Sequence, residues 1–242
     1  MDACYLIGTS GWNYESFIGT VYGPDTPKRR YLETYAQFFD TVELNASFYR
    51  SFMEKTWQGW HDRTPEGFVW AVKAPRFITH IRRLEVEKDS VDMFFQRALI
   101  LKEKLGVVLF QLPPSLKYDE RGFRTFLHML PEGVRVAWEA RNESWFVDQV
   151  YSELKKRNIS WVISDTNGRY PMAEVFTADF TYIRLHGTHG LYRGAYGKSG
   201  LQRWVRLLKD WGRDAFVYFD NTDDGSAARD ALLMKELLSN GF

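Results

Sequence analysis

The chain has 242 residues, 45% hydrophobic and 26% charged, with a formal charge of only +1. That balance suits a packed globular core and excludes both a disordered chain and a protein that coats polyanions by bulk charge. One cysteine, Cys4, excludes an intrachain disulfide and a multi-cysteine zinc site. No run approaches about 18 uninterrupted apolar residues, and no basic segment leads into an apolar one at the start. Neither a membrane span nor a secretory signal is therefore expected, and the reading is a cytoplasmic protein.

In chain order, strand-like runs alternate with amphipathic stretches. CYLIG (4–8) opens the series, and Cys4 within it reads as a small buried filler. A helix over 28–39, preceded by Pro27, leads to TVELN (41–45). FVWAVKA (68–74) is followed by a helix over 90–106, with Ser90 at its start and Gly106 at its end. Then come VVLFQL (107–112), the helical ERGFRTFLHML (120–130), VRVAWEAR (134–141) and the helical stretch 145–157. SWVISD (160–165) precedes TNGRYPMAEVFTAD (166–179), where no full helix fits. FTYIRLH (180–186), a helix over 201–212, AFVYFDN (215–221) and a helix over 226–240 complete the chain. Eight strand–helix units without a linker or composition shift predict one domain over 1–242. The predicted fold is an α/β (β/α)8 TIM barrel with a degenerate sixth crossover, and a doubly wound open sheet is the competing fold.

Side chains alternate faces along a strand, so each run splits into two phases. One phase collects Glu43 and Asn45, Lys73, Gln111, Glu139 and Arg141, Asp165, and Arg184 and His186. The eighth run ends in Asp220 and Asn221. Polar groups gathered at the C-terminal ends of barrel strands predict a polar cup on the face where such barrels work. The alternative is a buried ion-pair network that closes the barrel and does nothing else.

IGTSGWNY (7–14), TVELNASFY (41–49), KAPRFITH (73–80), FQLPPS (110–115), WEARNESWF (138–146), IRLHG (183–187) and YFDNTDDGSA (218–227) resemble the YecE-like family, in order and over nearly the whole chain. The resemblance implies a TIM barrel and supplies no reaction, the family being a domain of unknown function. Paired asparagines are its more usual pattern where this chain has Asp220-Asn221, which separates the two residues' roles.

Three chemistries fit the cup. In the first, Glu139, Asp165, His186 and Asp220 hold one divalent metal (Mn²⁺, Mg²⁺, Zn²⁺ or Fe²⁺), although Arg141 and Arg184 would repel it. In the second, metal-free hydrolysis or lyase chemistry acts on a phosphorylated or carboxylated substrate, with Arg141, Arg184 and Lys73 gripping the anion and Glu43 and Glu139 as the acid/base pair. With or without a metal, the expected enzyme is a hydrolase, lyase or isomerase acting on a small anionic, phosphorylated or sugar-like substrate. Glu43, Lys73, Glu139, Asp165 and His186 would be its catalytic groups, and Asn45, Gln111, Arg141, Arg184, Tyr192 and Asn221 would bind substrate. Within the second chemistry, Lys73 is either a Schiff-base amine or half of an ordinary salt bridge to Glu43 or Glu139. In the third, Tyr192, Arg193, Tyr196 and Lys198 of the glycine-rich loop 186–200 would bind nucleic acid with Trp12, Tyr14, Phe48, Tyr49, Trp145 and Phe146 as stacking surfaces. That loop reads equally as a lid over a small-molecule site. His80 either reaches the rim or begins a solvated helix.

Overall fold

A computed structural model describes residues 3–240. Eight parallel strands form one sheet: β1 (Tyr5–Thr9), β2 (Thr41–Leu44), β3 (Val69–Lys73), β4 (Leu105–Gln111), β5 (Val136–Glu139), β6 (Ser160–Asp165), β7 (Phe180–Leu185) and β8 (Asp214–Phe219). From β2 to β8 each strand pairs in parallel with the next in sequence, and β8 pairs back onto β1. The seam between β1 and β2 is closed by a single bridge, Ser10 to Glu43. The result is the expected (β/α)8 barrel.

The helices are α1 (Tyr31–Tyr35), α2 (Ala46–Tyr49), α3 (Glu54–Asp62), α4 (Lys88–Ala98), α5 (Glu120–Leu127), α6 (Asp148–Lys156), α7 (Gly197–Trp211) and α8 (Ser226–Ser239). No helix lies in 166–179, so the sixth crossover is degenerate as expected. None is long and apolar enough to cross a membrane.

Two apolar clusters divide the barrel. The interior holds Ala71, Val107, Leu109, Ala137, Val162, Tyr182, Phe216 and Tyr218. The larger cluster lies between sheet and helices and takes the other phase, including Trp70, Trp138, Trp161 and Ile163. Residues of β4, β5 and β7 therefore face as alternation predicts, and β6 does not. Its inward residues are Val162 and Ser164, so Asp165 shares the outward phase of Trp161 and Ile163.

Three smaller expectations are also corrected. The helix over 90–106 begins at Lys88 and ends at Ala98, passing into a 3-10 stretch over Leu99–Lys104 with left-handed backbone at Lys102. Gly106 lies inside β4, where a Cβ would sit 2.2 Å from Val69 Cγ1. Cys4 precedes β1 and is exposed, not a buried filler.

Gly8 is the tightest point of the seam, since a Cβ there would lie 2.4 Å from the Thr41 carbonyl oxygen. A backbone atom cannot swing aside as a side chain can. Gly8→Ala is expected to lower unfolding stability by about 1–3 kcal/mol in urea titration, the range for overpacking a closed core. No loss would mean that the seam opens freely.

Candidate active site at the barrel mouth

Above the interior apolar layer lies Arg184, the penultimate residue of β7, 1% exposed. Its Nε donates to Glu43 Oε2 (2.9 Å) and its Nη2 to Glu43 Oε1 (2.8 Å), a two-point pairing across the barrel from β2. Nη1 donates to Glu139 Oε2 (3.0 Å) at the end of β5, and Nη2 to Asp220 Oδ2 (3.0 Å) beyond β8. Nη1 also meets His186 Nε2 at 3.2 Å. Ser10 donates to Glu43 Oε1 (2.5 Å) and Tyr182 to Glu43 Oε2 (2.7 Å). Ser164 Oγ faces Glu139 Oε1 at 3.5 Å.

The network sorts the protonation states. Burial alone would raise the Glu43 and Glu139 pKa values, but the guanidinium charges override it and hold both carboxyls below the usual range. Arg184 is disfavoured by burial, yet the three carboxylates raise its pKa well above the ordinary value. Asp220 is pushed up to about 6, by burial that Arg184 offsets only in part and by repulsion from Glu43. His186 is pushed down to about 3 by burial and by Arg184. Its Nδ1 lies 3.1 Å from the Asp165 carbonyl oxygen, which can only accept, so Nδ1 carries the proton and Nε2 presents its lone pair to Arg184.

The predicted metal set is corrected by this geometry. Among the described residues no three His, Cys, Asp or Glu side chains gather as a metal site. Glu139, His186 and Asp220 surround the guanidinium of Arg184, which occupies the place where a cation would be held. Asp165 faces away from the cup: its carboxylate accepts from the Asn167 amide (3.1 Å) and the Tyr196 hydroxyl (3.0 Å).

Other residues of the cup divide by whether they keep free polar atoms. Arg141 donates from Nε to Glu139 Oε1 (2.8 Å), lies 4.8 Å above the Tyr170 ring and is hydrogen-bonded to the Tyr192 hydroxyl, with Glu139 as its carboxylate partner among the described residues. Gln111 spends its amide on the Leu112 carbonyl (2.6 Å). Asn45 has a buried Oδ1 without a partner. Asn221 points outward, where its Nδ2 binds the Gly194 carbonyl (2.9 Å) and Asp230 Oδ2 (2.9 Å), fastening loop 186–200 to α8. That loop is tied down further by Tyr192, whose amide donates to the His186 carbonyl (2.8 Å) and whose ring lies 6.0 Å from the His186 ring. The loop is thus a fastened cover.

Lys73 departs from the salt bridge considered for it. Among the described residues no carboxylate ion-pairs with its Nζ; the amine stands over the Phe48 ring at 4.3 Å. Burial and the neighbouring charge of Arg184 lower its pKa to about 8. The same ring meets His80 in a T-shaped contact, 4.8 Å between centroids. Burial, with Lys73 and Arg141 nearby, pushes His80 down to about 4, so it is neutral at pH 7. His80 therefore belongs beside the cup.

The nucleic-acid surface is not assembled as expected. Trp145 is buried, Trp12 packs edge-on against Trp60 and Trp70, and Phe146 packs on Trp161. Of the six aromatics considered for stacking, Tyr49 alone is strongly exposed. Ser10, Tyr182 and Ser164 were not among the predicted site residues. The alternation that places Glu43 and Arg184 in the cup would also have placed Ser10 and Tyr182 on its inward phase.

Comparison with known proteins agrees with the fold. A family model described as "Protein of unknown function DUF72" matches residues 6–241. The chain is 29% identical to UPF0759 protein YunF of Bacillus subtilis (strain 168), covering 96% of this chain and 94% of that one. It is 25% identical to UPF0759 protein YecE of Escherichia coli (strain K12), over 80% and 79% of the two chains. The crystal structure of a DUF72 family protein from Thermotoga maritima MSB8 superposes with a TM-score of 0.85 at 27% identity, covering 98% of this chain and 99% of that one.

Removing Arg184 would strand two buried carboxylates. Arg184→Met is expected to lose about 3–5 kcal/mol at pH 7, the usual result of deleting one side of a buried pair. Without the guanidinium, burial raises the Glu43 pKa, while Glu139 keeps its pair with Arg141, so the variant takes up protons as the pH falls. The deficit should therefore narrow between pH 7 and pH 5. Urea denaturation at both pH values measures it, and a constant deficit would contradict the charge assignment.

Proposed function

The chain belongs to the DUF72 family, and from its barrel mouth we propose an enzyme that acts on a small anionic substrate bearing a carbonyl group, with Lys73 as the reacting amine. The observation supporting this is the amine itself, enclosed, unpaired and set among cations at the end of a barrel strand. A lysine is nucleophilic only when neutral, and both desolvation and like charge favour that form.

In the proposed reaction, neutral Lys73 Nζ attacks the carbonyl carbon to give a carbinolamine. Loss of water then leaves a carbon–nitrogen double bond, so amine plus carbonyl becomes imine plus water. Protonated, that imine withdraws electrons from the adjacent carbon and allows a neighbouring C–H or C–C bond to break, the chemistry of lyases and isomerases. His80 supplies the base. If the Thr79 hydroxyl donates to the Pro75 carbonyl (3.4 Å), His80 Nδ1 donates to Thr79 Oγ1 (2.8 Å) and Nε2 is left as an acceptor. The terminal nitrogens of Arg141 would receive the carboxylate or phosphate, since a guanidinium matches either at two points. Glu43, Glu139 and Arg184 act as positioning residues: Glu139 holds Arg141, and the charges of Arg184 and Arg141 oppose protonation of Lys73, which the two carboxylates offset in part.

Incubation with glyoxylate, pyruvate or glyceraldehyde 3-phosphate and borohydride reduction should leave a secondary-amine adduct at Lys73, located by peptide mass spectrometry. The yield should rise as the pH increases from 6 to 9 with a midpoint near 8, because the neutral fraction grows through the pKa and surface lysines titrate two units higher. Lys73→Met should lose the adduct and remain folded. Label spread evenly over surface lysines in both proteins would sink the proposal.

A further inference from the structure

A second concavity adjoins the cup on the far side of Phe48. It lies between the β2–α3 connection, the π-helical turn Phe77–Ile81 after β3, and α4, with a volume of about 510 Å³. Phe48, Phe52, Trp57 and Phe94 line its inner surface. Among the described residues ten large apolar side chains are exposed, and four of them, Tyr49, Phe77, Ile81 and Met93, line this one groove. Exposed apolar groups concentrated in one concavity mark a binding site; scattered singly they would need no explanation.

Its charge is one-sided. Arg50, Arg76 and Arg97 line it and no carboxylate does. Arg97 is 3.3 Å from Glu54, itself a highly exposed partner, and the Arg50 guanidinium lies 4.5 Å over the Phe52 ring. Arg76 has neither an ion pair nor a hydrogen bond among the described residues, and its side chain is exposed. An apolar trough with unneutralised arginines at its edge matches a molecule that is apolar along its body and anionic at one end.

We propose that this groove binds a free anionic amphiphile, an acyl or aryl chain ending in a carboxylate, phosphate or sulfonate. The volume is that of a site for one small molecule and not of an extended membrane-contact face. The apolar body would lie on Phe48, Phe52 and Met93, and the anionic head would meet Arg76. Phe48 is shared with Lys73, so a ligand here touches the wall of the cup without entering it.

Titration with 1-anilinonaphthalene-8-sulfonate should show one saturable site, and decanoate and decyl phosphate should both displace the dye. Decylamine, with the same chain and opposite charge, should be at least tenfold weaker. Ile81→Asp and Arg76→Glu each place a negative charge at the groove, and should weaken binding at least tenfold with an unchanged Tm because both positions are exposed. The dye and these competitors carry no carbonyl to condense with an amine, so the outcome is independent of the Lys73 reading. Absence of saturation, equal binding of decylamine, or full affinity in both variants would overturn the proposal. So would binding only to anionic vesicles, or self-association of the chain that Ile81→Asp abolishes.

Discussion

The fully buried guanidinium of Arg184 sets the terms for the upper half of this barrel. It has five N–H donors and no water to satisfy them, so the strands around it must present acceptors. They do so from β2, β5 and the segments just beyond β7 and β8, through Glu43, Glu139, His186 and Asp220. Ser10 enters through Glu43, and that pair spans the one seam of the sheet held by a single bridge. Such a network contributes little net stability over an apolar packing of the same volume. What it contributes is placement, and a fixed cation where the predicted metal would have sat.

Protonation then follows from position relative to that cation. Glu43 and Glu139 touch it and stay ionised. Asp220 touches it too, but it also faces Glu43 and carries the full effect of burial, which places it at about 6. Lys73 falls to about 8, first through burial and then through the like charge of Arg184, which Glu139 and Glu43 offset only in part. Burial is the larger cause at both groups and moves them in opposite directions, while Arg184 lowers the pKa of each. Titratable pairs separated in this way are a mark of sites that move protons.

The architecture was legible because strand alternation reports facing directly. Trp70 and Trp138 mark the helix-facing phase of their strands, and in each the opposite phase ends in the residues that reach the cup. The same rule applied to β6 would have set Trp161 outward and put Ser164, not Asp165, in the cup; the terminal acid drew the reading away from the tryptophan. The sixth crossover was legible for a plainer reason, since TNGRYPMAEVFTAD has no apolar periodicity and carries a proline. Gly106 was misread because a glycine that ends a helix and one that admits a close strand neighbour look alike without Val69 beside it. Pairing among the charges was not legible, because it depends on distances across the barrel between residues up to 141 positions apart.

Why Lys73 is left unpaired follows from the geometry of the carboxylates. Arg184 engages both oxygens of Glu43, which also accept from Ser10 and Tyr182. The oxygens of Glu139 are divided between Arg141 and Arg184. Two arginines with planar, directional donors have taken the acceptor positions, and a flexible ammonium competes poorly for what remains. The cup therefore holds two firmly ionised carboxylates against the permanent charges of Arg141 and Arg184, with Lys73 and Asp220 adjustable. A ligand that brings its own negative charge to Arg141 removes part of the repulsion acting on the amine, so its binding changes the protonation of Lys73 as well as occupying the site. In the proposed reaction, substrate charge and amine reactivity would therefore be coupled through Arg141.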